Sequence, residues 1–351
     1  MVAINARAAV RTEIGGVERF AREMSRRLPA LRPDRYRVIR PPTSLAHRAG
    51  HAWEQALLPL QARRCALIYS PANLAPLACG KNVLVLHDLA AFRHPEAYSR
   101  AYVTYQRRLL PLLARRARLL VTVSEFSRNE LAELLALDPQ GIAVIPEGVD
   151  EAFAPAAADA VEQARQRYGL ERPYVLTMGT LSARKNLSVL DAAARALRER
   201  GVELVLGGSD RGYLRGEAVA LRRLGYVAEE DLPAVYTGAQ AFVLPSRYEG
   251  FGLPCLEAMA CGTPVLASRA GALPETVAEA GLLLDPGDGD AFAAALLELL
   301  TDASARERLT AAGRERAAAF SWARTAELTD RAISGLLGEA PRVGERSGAA
   351  S

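Results

Sequence analysis

Short apolar runs alternate along this chain with longer amphipathic or polar segments. Residues 2–5, 66–70, 83–86 and 119–124 are rich in valine, leucine, isoleucine and alanine, and 36–39, Tyr-Arg-Val-Ile, reads as a further short strand. Strands covered on both faces of a parallel sheet read this way. Between the first two runs, Val-Glu-Arg-Phe-Ala-Arg-Glu-Met-Ser-Arg-Arg-Leu at 17–28 has the mixed character of an amphipathic helix. The segment 142–150 closes this half. An Ala/Pro-rich linker comes next at 151–158, and the alternation restarts with runs at 174–178, 203–208, 242–244 and 264–267. The pattern predicts an α/β protein of two doubly wound, Rossmann-like domains, one over 1–155 and one over 156–318. Residues 290–332 read as helical, and the polar, Gly/Ala/Arg-rich end at 338–351 as disordered.

Composition narrows the class. Of the 351 residues, 50% are hydrophobic and 24% charged, as in ordinary globular proteins. Four cysteines, Cys65, Cys79, Cys255 and Cys261, have neither metal-ligand spacing nor the density of a disulfide framework, which suits a reducing cytosol. The start lacks a basic segment followed by an apolar core, and no apolar run reaches the length of a membrane span. A net charge of +4 does not imply a nucleic-acid partner. Lysine occurs only at Lys81 and Lys185 among abundant arginines, so each survivor is expected where a compact ammonium matters.

The densest chemistry lies in 242–268. After the strand-like run, Pro245 to Leu253 is a Gly/Pro-rich loop carrying Glu249; a helix comes after it, with Pro254 suited to its first position and Gly262 to the residue past its end. Glu249 then sits at the carboxyl end of a parallel strand and Glu257 one turn into a helix, the edge where open α/β sheets bind ligands and helix N-termini attract phosphate. Alone, a helix-start glutamate is usually a favourable charge on the dipole. Gly15-Gly16 lies between a strand and a helix, His87-Asp88 directly follows an apolar run, and Arg184-Lys185 lies in a turn after 174–178. Each has a structural alternative: a glycine turn, a histidine satisfied in its own loop, a solvated basic turn. Asp288-Gly-Asp290 has a metal-binding form, but its turn-rich surroundings mark a surface turn. His94, before Pro95, reads as a turn residue, and His47 and His51 as part of a loop.

Taken whole, Pro245-Ser-x-Tyr-Glu-Gly-Phe-Gly-Leu-Pro-x-Leu-Glu-Ala-Met-Ala-x-Gly-Thr-Pro-Val resembles the signature of the retaining nucleotide-sugar glycosyltransferases of family 4, which have the GT-B fold. Gly179-x5-Lys185-Asn-Leu resembles that family's phosphate loop, and His87-Asp88, the stretch at Val123, Glu147-Gly148 and 224–233 fit as well, so the likeness spans nearly the whole chain. It implies that the last helix, 319–337, crosses back onto the first domain. It further implies that Arg184 and Lys185 act on the donor diphosphate beside Gly15, Gly16 and Gly179, and that His87, next to Asp88, reaches the donor sugar across the cleft. Glu249 would accept a sugar hydroxyl, with the backbone of Gly250, Phe251, Gly252 and Leu253 beside it. Glu257 would bind the ribose, and the backbone near Val227 would border the base.

The likeness thus implies a metal-independent hexosyltransferase without cofactor. Its donor is a nucleotide-diphosphate sugar, GDP-mannose before a UDP-sugar; its acceptor is a glycan or lipid-linked saccharide. The basic and apolar stretch 107–118 suggests a cytoplasmic enzyme peripheral on the anionic inner membrane face, although a core-packed helix with a solvated basic face reads the same. A nicotinamide dehydrogenase is disfavoured because no Gly-x-Gly-x-x-Gly follows an early strand. A pyridoxal-dependent phosphorylase lacks a suitable lysine. A non-catalytic nucleotide-sugar sensor would lack some of the cleft residues.

Overall fold

The computed structural model describes residues 1–11, 15–42, 45, 50–208, 214 and 221–338. In its first half, β1 (Val2–Asn5), β2 (Tyr36–Ile39), β3 (Leu67–Ser70), β4 (Asn82–Val85), β5 (Leu119–Thr122) and β6 (Ile142–Val144) form a parallel sheet in the order β2-β1-β3-β4-β5-β6. Its helices are α1 (Gly16–Leu31), α2 (Gly50–Gln61), α3 (Ala90–Arg93), α4 (Arg100–Arg116) and α5 (Glu125–Leu135). In the second half, β7 (Tyr174–Met178), β8 (Glu203–Gly207), β9 (Arg222–Gly225), β10 (Ala241–Leu244), β11 (Val265–Ser268) and β12 (Leu282–Leu284) form another, in the order β12-β11-β10-β7-β8-β9. Here the helices are α6 (Ala158–Tyr168), α7 (Asp191–Glu199), α8 (Leu232–Thr237), α9 (Leu253–Ala260), α10 (Leu273–Val277), α11 (Gly289–Thr301), α12 (Ala303–Ala318) and α13 (Trp322–Leu336).

Every residue of β1, β3, β4, β10 and β11 is buried, as their largely apolar character suits strands covered on both faces, with Asn5, Ser70, Asn82 and Ser268 the polar residues at strand ends. Both sheets are parallel throughout and both reverse strand order once, between β1 and β3 and between β7 and β10. At such a reversal the loops leaving two adjacent strands diverge, opening a crevice at their carboxyl ends. The turns after β7 and β10 carry Arg184-Lys185 and Glu249.

The chain returns to its first half at the end. A break at Phe320 separates α12 from α13, and Ser321 caps α13 by accepting the Arg324 amide. α13 lies on α1, where its buried Asp330 accepts from Arg32 at 2.7 Å, Arg35 at 3.0 Å and the Tyr36 hydroxyl at 2.7 Å. Trp322 is buried at the joint, which is worth roughly 1.5–3 kcal/mol for a large apolar side chain. Gly148 is obligatory there, because a Cβ would overlap the backbone of Trp322.

Three readings change. His51 lies in α2, not in a loop, because the apolar face of that helix, Trp53 and Leu58, extends the helix to Gly50. α9 starts at Leu253, so Pro254 is its second residue; Gly252 takes the cap with φ of 103°. The strand at 119–124 ends at Thr122, since Ser124 is drawn into capping α5 by the Ser127 amide. Lys81 is the structural lysine: its ammonium is held by the carbonyls of Ala62 and Cys65 at 2.8 and 2.7 Å, beyond the end of α2. His47 and the tail beyond 338 lie outside the described residues.

Candidate active site

A cavity of about 840 Å³ runs between the two sheets, and all the candidate catalytic and donor-binding residues line it. The second half supplies its floor. Around Glu249, Oε1 accepts from the Lys185 ammonium at 2.6 Å and the Ser246 hydroxyl at 2.6 Å, while Oε2 accepts from Arg184 at 3.1 Å. Burial works to raise this carboxyl, but Lys185 and Arg184 outweigh it and hold it lowered to about 2. For Lys185, burial is the largest influence and lowers it, Arg184 adds to that, and Glu249 opposes both. Its charge therefore depends on the carboxylate. Arg184 also donates to the Tyr248 carbonyl at 2.8 Å, while its buried Nε finds no partner among the described residues.

The second glutamate is held from the other half of the molecule. Arg19 of α1 donates to Glu257 Oε1, and the Tyr236 hydroxyl donates to Oε2 at 3.0 Å. Arg19 also reaches Glu229 at 3.3 Å, and Arg22, one turn on, grips the same carboxylate at 2.8 Å. Burial raises the Glu257 carboxyl, against the pull of Arg19 and Tyr236. Neither Arg19 nor Tyr236 is singled out by sequence: α1 also carries Arg22, Arg26 and Arg27, and only the fold selects which of them faces α9. Val227 is buried and lines the same cavity, as do Met178 and Gly179, with Met178 and Val227 both packed against Gly207.

His87 differs from expectation. Its Nδ1 lies 2.9 Å from Glu147 Oε1 and its Nε2 lies 2.9 Å from the Pro71 carbonyl, both within the first half, and its ring packs edge-on against Phe20. With Glu147 ionised, both neighbours are acceptors, an arrangement that favours the protonated ring. Burial opposes that charge but Glu147 prevails, raising the pKa. No ring nitrogen is free to reach across to a sugar. What approaches the second half is the backbone: a Cβ on Gly250 would stand 2.7 Å from the His87 carbonyl and 2.8 Å from Asp88 Cβ. The Gly250 carbonyl accepts from Ser124 at 2.6 Å and Ser127 at 3.0 Å, which ties the Glu249 loop to the start of α5.

At the opposite wall, the Gly15 amide donates to Glu18 at 3.1 Å, and a Cβ on Gly16 would meet nothing within 4 Å. Asp88 accepts the Ala90 amide at 3.0 Å and turns the chain into α3. His94 is a turn residue, its ring against Tyr248. Asp288 caps α11 by accepting the Ala291 amide at 2.9 Å. Among the described residues, no group of three or more His, Cys, Asp or Glu side chains is arranged to hold a metal.

Comparison with known proteins agrees with this construction. Residues 14–153 match the family model "Glycosyltransferase Family 4" and residues 160–316 match "Glycosyl transferases group 1". O-antigen chain mannosyltransferase B of Escherichia coli is 36% identical over 272 residues, which are 73% of this chain and 71% of that protein. MMP alpha-(1->4)-mannosyltransferase of Mycolicibacterium hassiacum is 34% identical over 66% of this chain and 58% of its own length. Among solved structures, sucrose-phosphate synthase from Thermosynechococcus elongatus superposes with a TM-score of 0.76 at 22% identity, covering 96% of this chain and 99% of that one. Anabaena HepE in complex with UDP-glucose superposes at 0.73 with 20% identity, over 95% and 99%. The two facing parallel sheets thus have the GT-B architecture, and the chain belongs to the family 4, group 1 glycosyltransferases.

Proposed function

We propose that the protein transfers a hexosyl group, mannose from GDP-mannose, to a glycan or lipid-linked saccharide, with retention at the anomeric carbon and without a metal ion. One observation carries the reading: Arg184 and Lys185 converge on Glu249 at the floor of the cleft, two cations held in place by one carboxylate. When the bond from the anomeric carbon to the β-phosphate oxygen breaks, its electron pair leaves with the diphosphate. Preorganised cations stabilise that charge more than they stabilise the bound donor, which lowers the barrier. A sugar hydroxyl donating to Glu249 positions the ring and competes for the carboxylate that otherwise occupies the two cations. The acceptor oxygen then bonds to the same face of the anomeric carbon, and its proton passes to the departing phosphate oxygen. Arg184 and Lys185 supply the charge a metal would otherwise bring.

The mannosyl assignment draws on the two mannosyltransferase relatives. UDP-sugars are the second reading, since HepE holds UDP-glucose on the same architecture. Thermal shift with GDP, UDP and ADP tests the donor: a ligand at 100 times its Kd adds about 2.7 kcal/mol of stability. Stabilisation by UDP and not GDP replaces the mannosyl reading, and no response to any nucleotide refutes the site. The anomer of the first product, read by NMR, tests retention.

The protein works in the cytoplasm, on the inner membrane face. No helix among the described residues is long and apolar enough to cross a membrane. Supporting a peripheral contact, α4 buries Leu110 and Leu113 in the core while exposing Arg107, Arg108, Arg115 and Arg116 with Tyr105 and Leu112 among them. Cations beside apolar side chains suit an anionic lipid surface. Flotation with anionic vesicles tests this, with binding at low salt expected; its absence refutes the contact.

A further inference from the structure

Glu257 is the one candidate donor-binding side chain whose carboxylate is held from across the cleft. Both its oxygens already accept one hydrogen bond, from Arg19 and from Tyr236. A carboxylate has about four lone-pair sites, so two stay available. We infer that Arg19 is a positioning residue for the nucleotide: from the first half of the molecule it holds the Glu257 carboxylate in the orientation that accepts a vicinal diol, as ribose presents. The inference rests on the nucleotide-sugar reading above.

Geometry and charge both support it. The Arg19 guanidinium lies over the Phe153 ring at 5.4 Å and divides its donors between Glu257 and Glu229, which fixes its plane. Facing Glu257 are Arg19 from α1, Tyr236 from α8, Glu229 from the segment before α8 and Glu147 from the segment after β6, with Cys261 at the end of its own helix. Arg19 is the cation in this set; Glu147 and Glu229 both favour protonation of Glu257, as does burial. Without Arg19, Glu257 takes up a proton nearer neutrality and loses acceptor sites for the diol. Glu229 lies on the segment that carries Val227 and Tyr226 to the cavity, so the same guanidinium also sets the base-side rim. Nucleotide binding is thereby coupled to the approach of α1.

The test is calorimetric titration of the full chain with GDP and with UDP between pH 6 and 8.5, expressed as the ratio of variant to wild-type Kd so that titration of the nucleotide itself cancels. For Arg19→Gln the expected ratio is about tenfold at pH 7.5, rising toward about tenfold more per pH unit below the displaced Glu257 pKa. Arg19→Lys recovers most of the affinity and the flat profile. Tyr236→Phe shifts the profile in the same direction by less, and Arg26→Gln, on the same helix but paired with Glu23, behaves as wild type. A wild-type Kd and a flat ratio in Arg19→Gln overturn the inference and leave the proposed function standing. If Arg19→Gln does not fold, a flat ratio in Tyr236→Phe overturns it equally. Failure of the wild-type chain to bind either nucleotide refutes the proposed function and this inference with it.

Discussion

Replacing Glu249 by alanine separates its structural role from its chemical one. The change deletes three accepted hydrogen bonds and leaves Lys185 and Arg184, both largely buried, without their shared counter-charge. Removing one partner of a buried ion pair costs about 3–5 kcal/mol. Against a typical stability of about 5–15 kcal/mol, the variant folds but is measurably weakened. Lys185 can relieve part of this by releasing its proton, since burial already lowers it. In the variant its folded pKa falls further below the unfolded value of about 10.4, so between the two the unfolded chain binds more protons and stability rises with pH. Urea denaturation of wild type and variant at pH 7 and pH 9.5 reads this directly. The gap is expected at about 3–5 kcal/mol at pH 7 and narrower at pH 9.5. Sugar transfer is lost, while nucleotide affinity changes little, because Arg184 stays charged and an arriving diphosphate gives Lys185 the counter-charge that Glu249 supplied. A gap under about 1 kcal/mol at pH 7 would show that solvent, not Glu249, screens the two cations. Lost nucleotide affinity with retained turnover refutes the assigned role.

Acid should unfold the wild type partly through the same residue: with its folded pKa at about 2, Glu249 contributes stability above the ordinary carboxyl value that is lost as pH falls from about 4.5 toward 2, and Glu249→Gln should flatten the denaturation profile over that window. Gly148→Ala should cost at least about 3 kcal/mol, the upper end for overpacking, because the added methyl meets the Trp322 backbone; a Tm lowered by only a degree or two would show that α13 can shift aside. Sugar transfer assayed in excess chelator should proceed at the undisturbed rate, and complete loss restored by manganese would direct attention to Asp288 and Asp290.

The fold and half of the site were legible because they are local. Continuous apolar runs identify parallel strands, and the loops after β7 and β10 announce themselves by glycines, prolines and charge within a dozen residues. What escaped is long-range. Arg19 and Glu257 are 238 positions apart and His87 and Glu147 are 60 apart, and no spacing rule connects such pairs. His87 shows the consequence: its place at a strand end is evident, but its direction is decided by Glu147 and Pro71, acceptors that lie on other loops of the same sheet edge. The arginines of α1 show it again, since residues 19, 22, 26 and 27 are chemically identical and differ only in which neighbour the helix turns them toward.

The ion pairs of the cleft fit a common logic. Arg184 and Lys185 share Glu249, Arg19 and Arg22 share Glu229 with Arg19 reaching Glu257 as well, and the His87 ring faces Glu147, which favours its protonated form. A cation buried before its ligand arrives needs a counter-charge, or it gives up its proton or drives the loop open. Glu249 provides that counter-charge at the place where a sugar hydroxyl can compete for it. On the proposed function, donor binding redirects the two cations from the carboxylate toward the diphosphate, the desolvation of Arg184 and Lys185 having already been met in folding. The carboxylate that keeps them charged before the donor binds is, on this account, the one that positions the sugar afterwards. Substituting Glu249 should therefore separate nucleotide binding from transfer, because Arg184 keeps its charge toward the phosphates while the sugar loses the acceptor that orients it.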